Sequence, residues 1–262
     1  RYKRLCKVGI INGEMMQLNP YSLGYKCVTD IGIMTAIENE KEIFDFLLTM
    51  PFIVGIHPRG FGKYNMGATI ALREIEKLSS VIEKLESNPY IKRVDTLIWA
   101  ETKNIDHGEN IVIHPSKGKY EAVAKPKIQP TIQDQVVDID DVDKEILKII
   151  TKESRTPFST IAQQIGVSTV NIIQRYKKLR ENVLTLSSVT VDLRMFGYKA
   201  MAHLFLKVKD RSKMSQIYSQ LLEIPNMLVV IRLIGPYDIR ALVAIADFQD
   251  IFELTDKIRR IQ

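Results

Sequence analysis

The sequence predicts an α+β fold in which one mixed helix–strand unit occurs twice, with a helical segment between the two copies. Three observations support this prediction. Short phrases recur in the same order about 174 positions apart, strand-like and helix-like segments alternate in the same order around them, and the region between them changes to helical periodicity. A chain of 262 residues is long enough for two or three domains.

The internal repeat rests on four pairs of phrases. They align at offsets of 173 or 174 positions, and a single one-residue gap reconciles the first two pairs. The pairs are RYKRL (1–5) with RYKKL (175–179), GYK (24–26) with GYK (197–199), IFDFLLTMP (43–51) with IYSQLLEIP (217–225), and GKYN (62–65) with GPYD (235–238). Because the order is kept, we interpret the pairs as a duplication of the whole unit.

Each copy is predicted to run strand, helix, strand, strand, helix, strand, which is a ferredoxin-like βαββαβ unit. In the first copy the strands are predicted at 27–37, 52–58, 64–72 and 91–101, and the helices at 40–50 and 74–88. In the second copy the strands are predicted at 200–209, 227–233 and 237–246, and the helices at 213–224 and 247–261. Gln262 aligns with Pro89, just past a helix, so the last strand of the second copy is expected to be missing.

The segment 102–138 separates the first copy from the helical region. It is rich in proline, glycine and polar side chains. This composition predicts a linker that contains at most a short hairpin. A long insertion folded onto the first unit is the alternative.

Residues 141–183 are predicted to form three short helices with the layout of a helix-turn-helix. Asp140 or Asp141 is available as the N-cap of the first helix. Gly166 provides a stop for the second helix, and Ser168 is the expected N-cap of the third.

The charges of the third predicted helix favour a nucleic-acid partner. Between Thr156 and Arg180 every formal charge is basic and lies on this helix. Such a helix can place its N-terminal polar residues against base edges while its basic residues meet phosphates. A solvated helix face is the alternative. The candidate DNA-binding residues are Ser168, Thr169, Val170, Asn171, Gln174, Arg175, Lys177 and Lys178.

The composition of the chain and the motifs that it lacks argue against several classes of protein. Apolar runs such as 227–231 fall far short of the ~18 residues that a membrane helix requires. Cys6 and Cys27 are too few for a disulfide framework and lack metal-site spacing, which favours a reducing cytoplasm. The net charge of +6 is compatible with a polyanionic partner. The sequence contains no Walker loop, dinucleotide glycine motif, nucleophile elbow or zinc pattern, so it predicts no cofactor and no metal.

A helix-turn-helix followed by a βαββαβ unit resembles the Lrp/AsnC family, the feast-or-famine transcription regulators of bacteria and archaea. The resemblance covers nearly the whole chain, and the phrase at 235–238 looks like the Gly-x-Tyr-Asp turn of the family's regulatory domain. The first copy departs from this turn at Asn65, where an acid is expected, and ENVLT at 181–185 replaces the usual start of the wing. The helical segment follows the family's pattern at Asp140, Asp143, Ile146, Leu147, Arg155, Ile161, Ala162, Ser168 and 175–179.

The resemblance implies a sequence-specific DNA-binding transcription regulator rather than an enzyme. In the family, the turn lies near an interface pocket for amino acids or similar small effectors, and the regulatory sheets pair in dimers that build larger assemblies. The expected partners are therefore a pseudo-palindromic double-stranded DNA, a small-molecule effector and further copies of the chain. A tight turn that serves only its strand pair is the alternative. The candidate effector-binding residues are Gly62, Tyr64, Asn65, Gly235, Tyr237 and Asp238.

The family's domain names divide the chain into five predicted segments. They are the end of a first winged helix-turn-helix (1–22), the first βαββαβ regulatory domain (23–101), the linker (102–138), the second winged helix-turn-helix (139–192) and the second regulatory domain (193–262). The opening phrase matches the end of a recognition helix. By analogy with 140–174, we expect at least about 35 further residues before Arg1.

Two other hypotheses remain from the sequence. Siroheme decarboxylases resemble the same two-domain arrangement and use basic and histidine side chains around a tetrapyrrole. His57, Arg59 and His203 are the side chains that such an enzyme would use here. The other hypothesis is a DNA-independent sensor or scaffold in which the helical domains only pack.

Overall fold

The elements of the structure follow the predicted order, and those for which the sequence predicts bounds lie within three residues of them. The computed structural model describes residues 1–57, 60, 62–101, 105–106, 108–111 and 136–261. The chain begins with α1 (Tyr2–Lys7) and β1 (Ile11–Leu18). The first copy contains β2 (Cys27–Thr35), α2 (Glu40–Leu48), β3 (Ile53–His57), β4 (Met66–Leu72), α3 (Lys77–Glu86) and β5 (Ile91–Trp99). The helical segment contains α4 (Asp141–Lys152), α5 (Phe158–Ile165), α6 (Thr169–Asn182) and β6 (Leu184–Val191). The second copy contains β7 (Ala200–Leu206), α7 (Met214–Leu222), β8 (Met227–Ile234), β9 (Ile239–Ile245) and α8 (Asp250–Ile261).

The strands of both copies join in one sheet. Among the described residues it has seven strands in the order β3-β4-β2-β5-β8-β9-β7. The four strands of the first copy have the ferredoxin-like order. An antiparallel pairing of β5 with β8, at Ile98↔Ile234 and Trp99↔Leu233, connects the two copies. The α+β fold class is therefore confirmed.

Alternation along the strands decides which residues meet the helices. Ile31 and Ile33 of β2 are buried in the core formed with α2 and α3, where Ile43 is also fully buried. Asp30 and Gly32 alternate with them and lie on the helix-free face of the sheet. The second copy has the same design, with Ile217 of α7 in the core under its sheet.

The helix-free faces of the two copies pack against each other. Tyr64 of the first copy lies edge-on to Phe205 of the second, with ring centroids 5.4 Å apart. Leu97 of β5 is buried with Ile231 and Leu233 of β8. The duplication thus produces a pseudo-dimer inside one chain.

The second helix-turn-helix begins and ends its helices as the sequence predicts. The Asp140 side chain accepts a hydrogen bond from the backbone N–H of Asp143, and the Asp143 side chain accepts one from Asp140, so both form a capping box for α4. Gly166 ends α5 in the left-handed region at φ +82. The Ser168 side chain caps α6 by accepting from the N–H of Asn171.

The wings of the two copies pair with each other. β1 of the first copy runs antiparallel to β6 of the second, with Glu14 opposite Val189. Met16 of β1 is buried in the same core as Ile146 and Leu179 of the second helix-turn-helix. This helical domain therefore completes its hydrophobic core with a strand from the other copy.

Glu14 fixes this packing with polar contacts. It accepts hydrogen bonds from Tyr2 Oη at 2.5 Å, from Ser154 Oγ at 2.7 Å and from the backbone N–H of Arg155 at 3.0 Å. Chiefly because of the Tyr2 hydroxyl, the pKa of Glu14 is lowered, with Ser154 and Arg155 adding to the effect. The carboxylate is therefore charged at neutral pH and joins α1 and β1 to the loop between α4 and α5.

The start of the predicted linker belongs to the fold of the second copy. Ile105 is buried, and its carbonyl accepts a hydrogen bond from Val230 N–H at 2.9 Å. Asn110 donates to the carbonyls of Leu222 and Met227. Ile105 and Asn110 therefore pack against the second copy, a contact that the polar composition of this stretch did not predict. Of the predicted linker, residues 102–104, 107 and 112–135 lie outside the described residues, so the expectation of at most a short hairpin stays a prediction.

Gly235 and Gly62 allow a direct test of the contact between copies. Both have positive φ, +146 and +129, so alanine at either position is strained by about 1–2 kcal/mol. A Cβ at Gly235 would lie 2.8 Å from the Thr96 carbonyl of the first copy, whereas a Cβ at Gly62 meets nothing within 4 Å. We expect Gly235→Ala to lower the free energy of urea unfolding more than Gly62→Ala. Equal losses would show that the contact contributes nothing.

Candidate functional site

The N-terminal half of α6 presents most of the predicted DNA-binding residues to solvent. Thr169, Val170 and Gln174 are exposed, and Val170 is 64% exposed. Asn171 is half-buried. This half of the helix therefore offers polar and small apolar groups on one open surface.

Arg175, by contrast, is engaged inside the domain. Its Nη1 donates to both oxygens of Asp140 at 2.8 and 2.7 Å and to Asp143 Oδ1 at 2.8 Å. Its Nε donates to Asn171 Oδ1 at 2.8 Å. The two carboxylates raise the pKa of Arg175, so its charge is permanent and neutralised locally. Arg175 thus joins α6 to the start of α4, a role that its sequence position in a basic run did not indicate.

The other basic residues of α6 divide into two groups. Lys178 donates to the Asp138 carbonyl at 2.7 Å and lies 3.6 Å from the Asp143 carboxylate. Lys177 and Arg180 are exposed, and neither forms an ion pair with the part of the chain that the structure describes. Lys177 and Arg180 are therefore the basic side chains of α6 that no carboxylate of the described residues neutralises.

The two predicted effector turns use their last residue in the same structural way. Asn65 Oδ1 accepts from Thr35 N–H, and Asp238 Oδ2 accepts from Val208 N–H, each at 2.9 Å. Thr35 and Val208 are equivalent positions of the repeat. Both turn residues therefore hold the end of the first strand of their copy.

The remaining contacts explain why one turn has an amide and the other an acid. Asn65 Nδ2 donates to Glu40 at 3.1 Å, whereas Asp238 Oδ1 accepts from Arg211 at 2.6 Å. The neutral amide of Asn65 lies beside the negative Glu40, whereas the negative carboxylate of Asp238 lies beside the positive Arg211. The departure at Asn65 is therefore compensated locally.

The turns of the two copies meet each other. Lys63 donates to Tyr237 Oη at 3.1 Å and forms an ion pair with Asp95 at 2.8 Å, while Tyr64 Oη donates to the same carboxylate at 2.6 Å. The Lys63 ammonium lies 5.0 and 4.9 Å from the ring centroids of Tyr64 and Tyr237. Burial opposes ionisation of Asp95, but the hydrogen bonds from Lys63, Tyr64 and Arg93 outweigh it and lower its pKa to about 2.

A cavity of about 610 Å³ lies between the two copies, within the range of small-molecule sites. Of the predicted effector residues, Gly62, Tyr64 and Asn65 line it, whereas Gly235, Tyr237 and Asp238 do not. Other polar side chains that line it are Asp30, His57, Lys63, His203 and Arg240. Its apolar lining comes from Ile31, Met66, Leu97, Ala200, Met201, Ala202, Phe205, Ile245, Phe248 and Ile251.

A buried ion pair lies in the wall of this cavity. Arg240 Nη1 donates to Asp30 across the interface between copies, and both side chains are 7% exposed. Asp30 also accepts from Thr69 Oγ1 at 2.6 Å and from Trp99 Nε1 at 2.8 Å. Arg240 Nε is buried and has no hydrogen-bond partner among the described residues. One unused donor is thus available beside the cavity.

The two histidines that line the cavity face each other across the copies. The ring centroids of His57 and His203 are 6.0 Å apart, and His57 Nε2 lies 3.2 Å from Thr69 Oγ1. Burial, reinforced by the positive charge of Arg240, lowers the pKa of His57 and lowers that of His203 to about 4. Both imidazoles are therefore neutral at pH 7. Arg59, the third residue of the enzyme hypothesis, lies outside the described residues.

Sequence reasoning missed Asp30, Thr69, Trp99 and Arg240. The available signal was a single charged residue inside each of two otherwise apolar strands, CVTDIGIMT and IRALVAI. A charge in such a strand requires a buried partner. The sequence alone does not say that each is the partner of the other.

No group of three or more His, Cys, Asp or Glu side chains among the described residues could hold a metal ion. None of the described helices is long and apolar enough to cross a bilayer.

Comparison with known proteins identifies the family. The model of the AsnC-type helix-turn-helix domain matches residues 139–180. The HTH-type transcriptional regulator LysM of Saccharolobus solfataricus is 30% identical over 125 residues, which are 47% of this chain and 86% of the relative. This chain belongs to the Lrp/AsnC family. The HTH-type transcriptional regulator FL11 of Pyrococcus furiosus is 28% identical over 125 residues, 47% of this chain and 82% of the relative.

The relatives support a DNA-binding transcriptional regulator for this Lrp/AsnC protein. The crystal structure of the siroheme decarboxylase NirDL matches 99% of this chain and 74% of its own, with a TM-score of 0.66 and 15% identity. At that identity the match shows the fold alone, but it extends over both copies of the repeat.

The depressed pKa of His203 predicts an acid-dependent loss of stability. In the unfolded chain the His203 imidazole takes up a proton below its ordinary pKa of 6.5. In the folded chain it stays neutral until the pH falls to about 4. The free energy of unfolding should therefore fall as pH decreases from 6.5 to 4. Chemical denaturation of wild type and His203→Gln at several pH values tests this. The variant should show a shallower fall, and identical slopes would contradict the burial of a neutral imidazole.

Proposed function

We propose that this chain is a ligand-gated transcription regulator that reads DNA with the N-terminal half of α6. The observation that carries the proposal is the open surface of Thr169, Val170, Asn171 and Gln174 at the start of a capped helix in an AsnC-type domain. N-terminal residues of a recognition helix are those that reach base edges. Lys177 and Arg180 follow on the same helix and supply charge for phosphates.

The cavity between the copies supports gating by a small molecule. It has an apolar lining and a few polar groups at defined positions, the usual character of a ligand site. A ligand shifts a conformational equilibrium only if it binds one state better than the other. A molecule that fits the cavity at only one distance between the two copies would stabilise that distance. It would thereby also favour one position of the paired strands β1 and β6.

The proposed assembly follows from the pseudo-dimer. A DNA-reading helix on each copy, related by an approximate two-fold axis, would match half-sites about one helical turn apart or a multiple of it. Further copies would associate through the regulatory domains. The protein would act in the cytoplasm, where it meets the DNA that it regulates.

Neutralising the exposed charges of α6 tests DNA binding. We expect Lys177→Ala/Arg180→Ala to weaken binding to DNA at physiological salt about tenfold or more, and to make the slope of log affinity against log salt shallower by about 2. Fluorescence anisotropy with a labelled duplex selected by the wild type measures both quantities.

The matched control is Lys144→Ala/Lys148→Ala, which removes the same net charge from the exposed face of α4. It should keep the wild-type salt slope. If both double variants behave alike, or if neither changes binding, α6 does not contact phosphates and the DNA-independent scaffold becomes the better hypothesis.

A second candidate function is tetrapyrrole decarboxylation. It is favoured by the facing pair His57 and His203 in the cavity, together with a fold shared over both copies with a siroheme decarboxylase. Loss of carbon dioxide leaves an electron pair that must take up a proton. A neutral imidazole beside the reacting carbon can pass a proton from solvent to that position.

Tetrapyrrole binding is measurable independently of DNA. If the second candidate is right, adding siroheme or haem to the protein should shift the tetrapyrrole absorption spectrum. His57→Ala and His203→Ala should abolish the shift, and incubation with siroheme should give a product lighter by one or more carbon dioxide molecules in mass spectrometry. An unchanged spectrum with wild-type protein would remove this candidate and leave the DNA-binding proposal untouched.

A further inference from the structure

We propose that Asn171 is a base-selecting residue of this chain, and that Arg175 acts as the positioning residue that fixes its amide. The proposal rests on the proposed DNA-reading role of α6. It assigns to Arg175 a function different from the phosphate contact that its place in a basic run suggests.

The orientation of the Asn171 amide follows from chemistry. The guanidinium of Arg175 carries only donors, so the atom of Asn171 that lies 2.8 Å from its Nε must be the oxygen. The Nδ2 group is therefore at the other end of the amide, and it makes no hydrogen bond with the described residues. Two donor hydrogens are left for a partner outside the chain.

The position of Asn171 places this donor at the reading end of the helix. Asn171 is the third residue of α6, and its backbone N–H is held by the Ser168 cap at 3.2 Å. The residue is flanked by the exposed Val170 and lies one turn before the exposed Gln174. Base contacts in helix-turn-helix domains come from this part of the recognition helix.

The guanidinium of Arg175 is held in place by two carboxylates, and this fixes the orientation of the Asn171 amide that it binds. Its Nη1 is shared by Asp140 and Asp143, and the Asp143 side chain is only 1% exposed. Asp140 and Asp143 are themselves fixed by the capping box of α4. The amide is thus tied to a second helix, and its preferred geometry exists before DNA is bound.

A donor that is unused among the described residues can select an acceptor on a base edge. In the major groove the acceptors are N7 of either purine, O6 of guanine and O4 of thymine, whereas cytosine presents a donor amine. We therefore infer that each half-site has one position, read by Asn171, at which cytosine is excluded. Arg175 itself is not expected to contact a base, because its Nε and Nη1 already donate to Asn171, Asp140 and Asp143.

The test exchanges the donor for an acceptor without disturbing Arg175. Asn171→Asp keeps an oxygen toward Arg175 Nε and replaces Nδ2 by a second oxygen, which should favour the cytosine amine. DNA is selected from a random pool with wild type and with Asn171→Asp. At one half-site position the wild type should disfavour cytosine about tenfold, and the variant should lose or reverse that preference.

The control is Gln164→Glu, which adds the same negative charge on the exposed surface of α5. It should weaken overall binding to a similar extent and keep the wild-type motif. Arg175→Lys is the second probe, since lysine lacks the fork that holds both Asn171 and the two acids. It should relax selectivity at the same position as Asn171→Asp while affinity for random DNA stays within a few-fold.

The outcomes separate the inference from the function on which it rests. A wild-type protein that selects no motif overturns the DNA-reading function. A wild-type motif that Asn171→Asp preserves at every position overturns the role of Asn171 alone. A motif that changes equally with Gln164→Glu also overturns it, because the effect would then be general repulsion.

Discussion

The relative placement of the two copies depends on the buried ion pair between Asp30 and Arg240. Each side chain is 7% exposed, and each comes from a different copy. Removing two charges from water costs several kcal/mol, which is offset only where geometry and further hydrogen bonds are good. Thr69 and Trp99 supply those bonds to Asp30. The ion pair therefore favours one alignment of the two copies, because any other alignment would leave two buried charges unpaired. The cavity, the facing histidines and the meeting turns all depend on that alignment.

Divergence of the copies has made the pseudo-dimer asymmetric at this interface. His203 occupies in the second copy the position of Asp30 in the first, Arg240 that of Gly67, and Phe205 that of Gly32. Gly32 has room for no side chain, since a Cβ there would lie 2.7 Å from the Tyr64 ring. On the other side of the interface Leu97, Ile105, Ile231 and Leu233 form a closed apolar core. One side of the interface is therefore packed, and the opposite side holds an open cavity with a few polar groups in its wall.

The fold could be predicted from the sequence because its signals are local or repeated. Capping at Asp140 and Ser168, the stop at Gly166 and the helix periodicities each depend on a few neighbouring residues. The site could be predicted only in part. Gly62, Tyr64 and Asn65 line the cavity, but the pairing of Asp30 with Arg240 joins positions 210 residues apart, which no local pattern specifies. The basic run on α6 likewise concealed that Arg175 is held by acids from α4.

The shared core of the second helix-turn-helix connects this domain physically to the first copy, which forms one wall of the cavity. Met16 of the first copy is buried in that core, and Glu14 holds the loop between α4 and α5. A change in the spacing of the copies must therefore either move the helix-turn-helix with β1 or break a packed core and the hydrogen bonds of Glu14. The first option costs less, because closely packed interiors transmit displacement rather than absorb it. The proposed coupling between the cavity and α6 would thus follow from a domain completed by its neighbour, without a separate hinge.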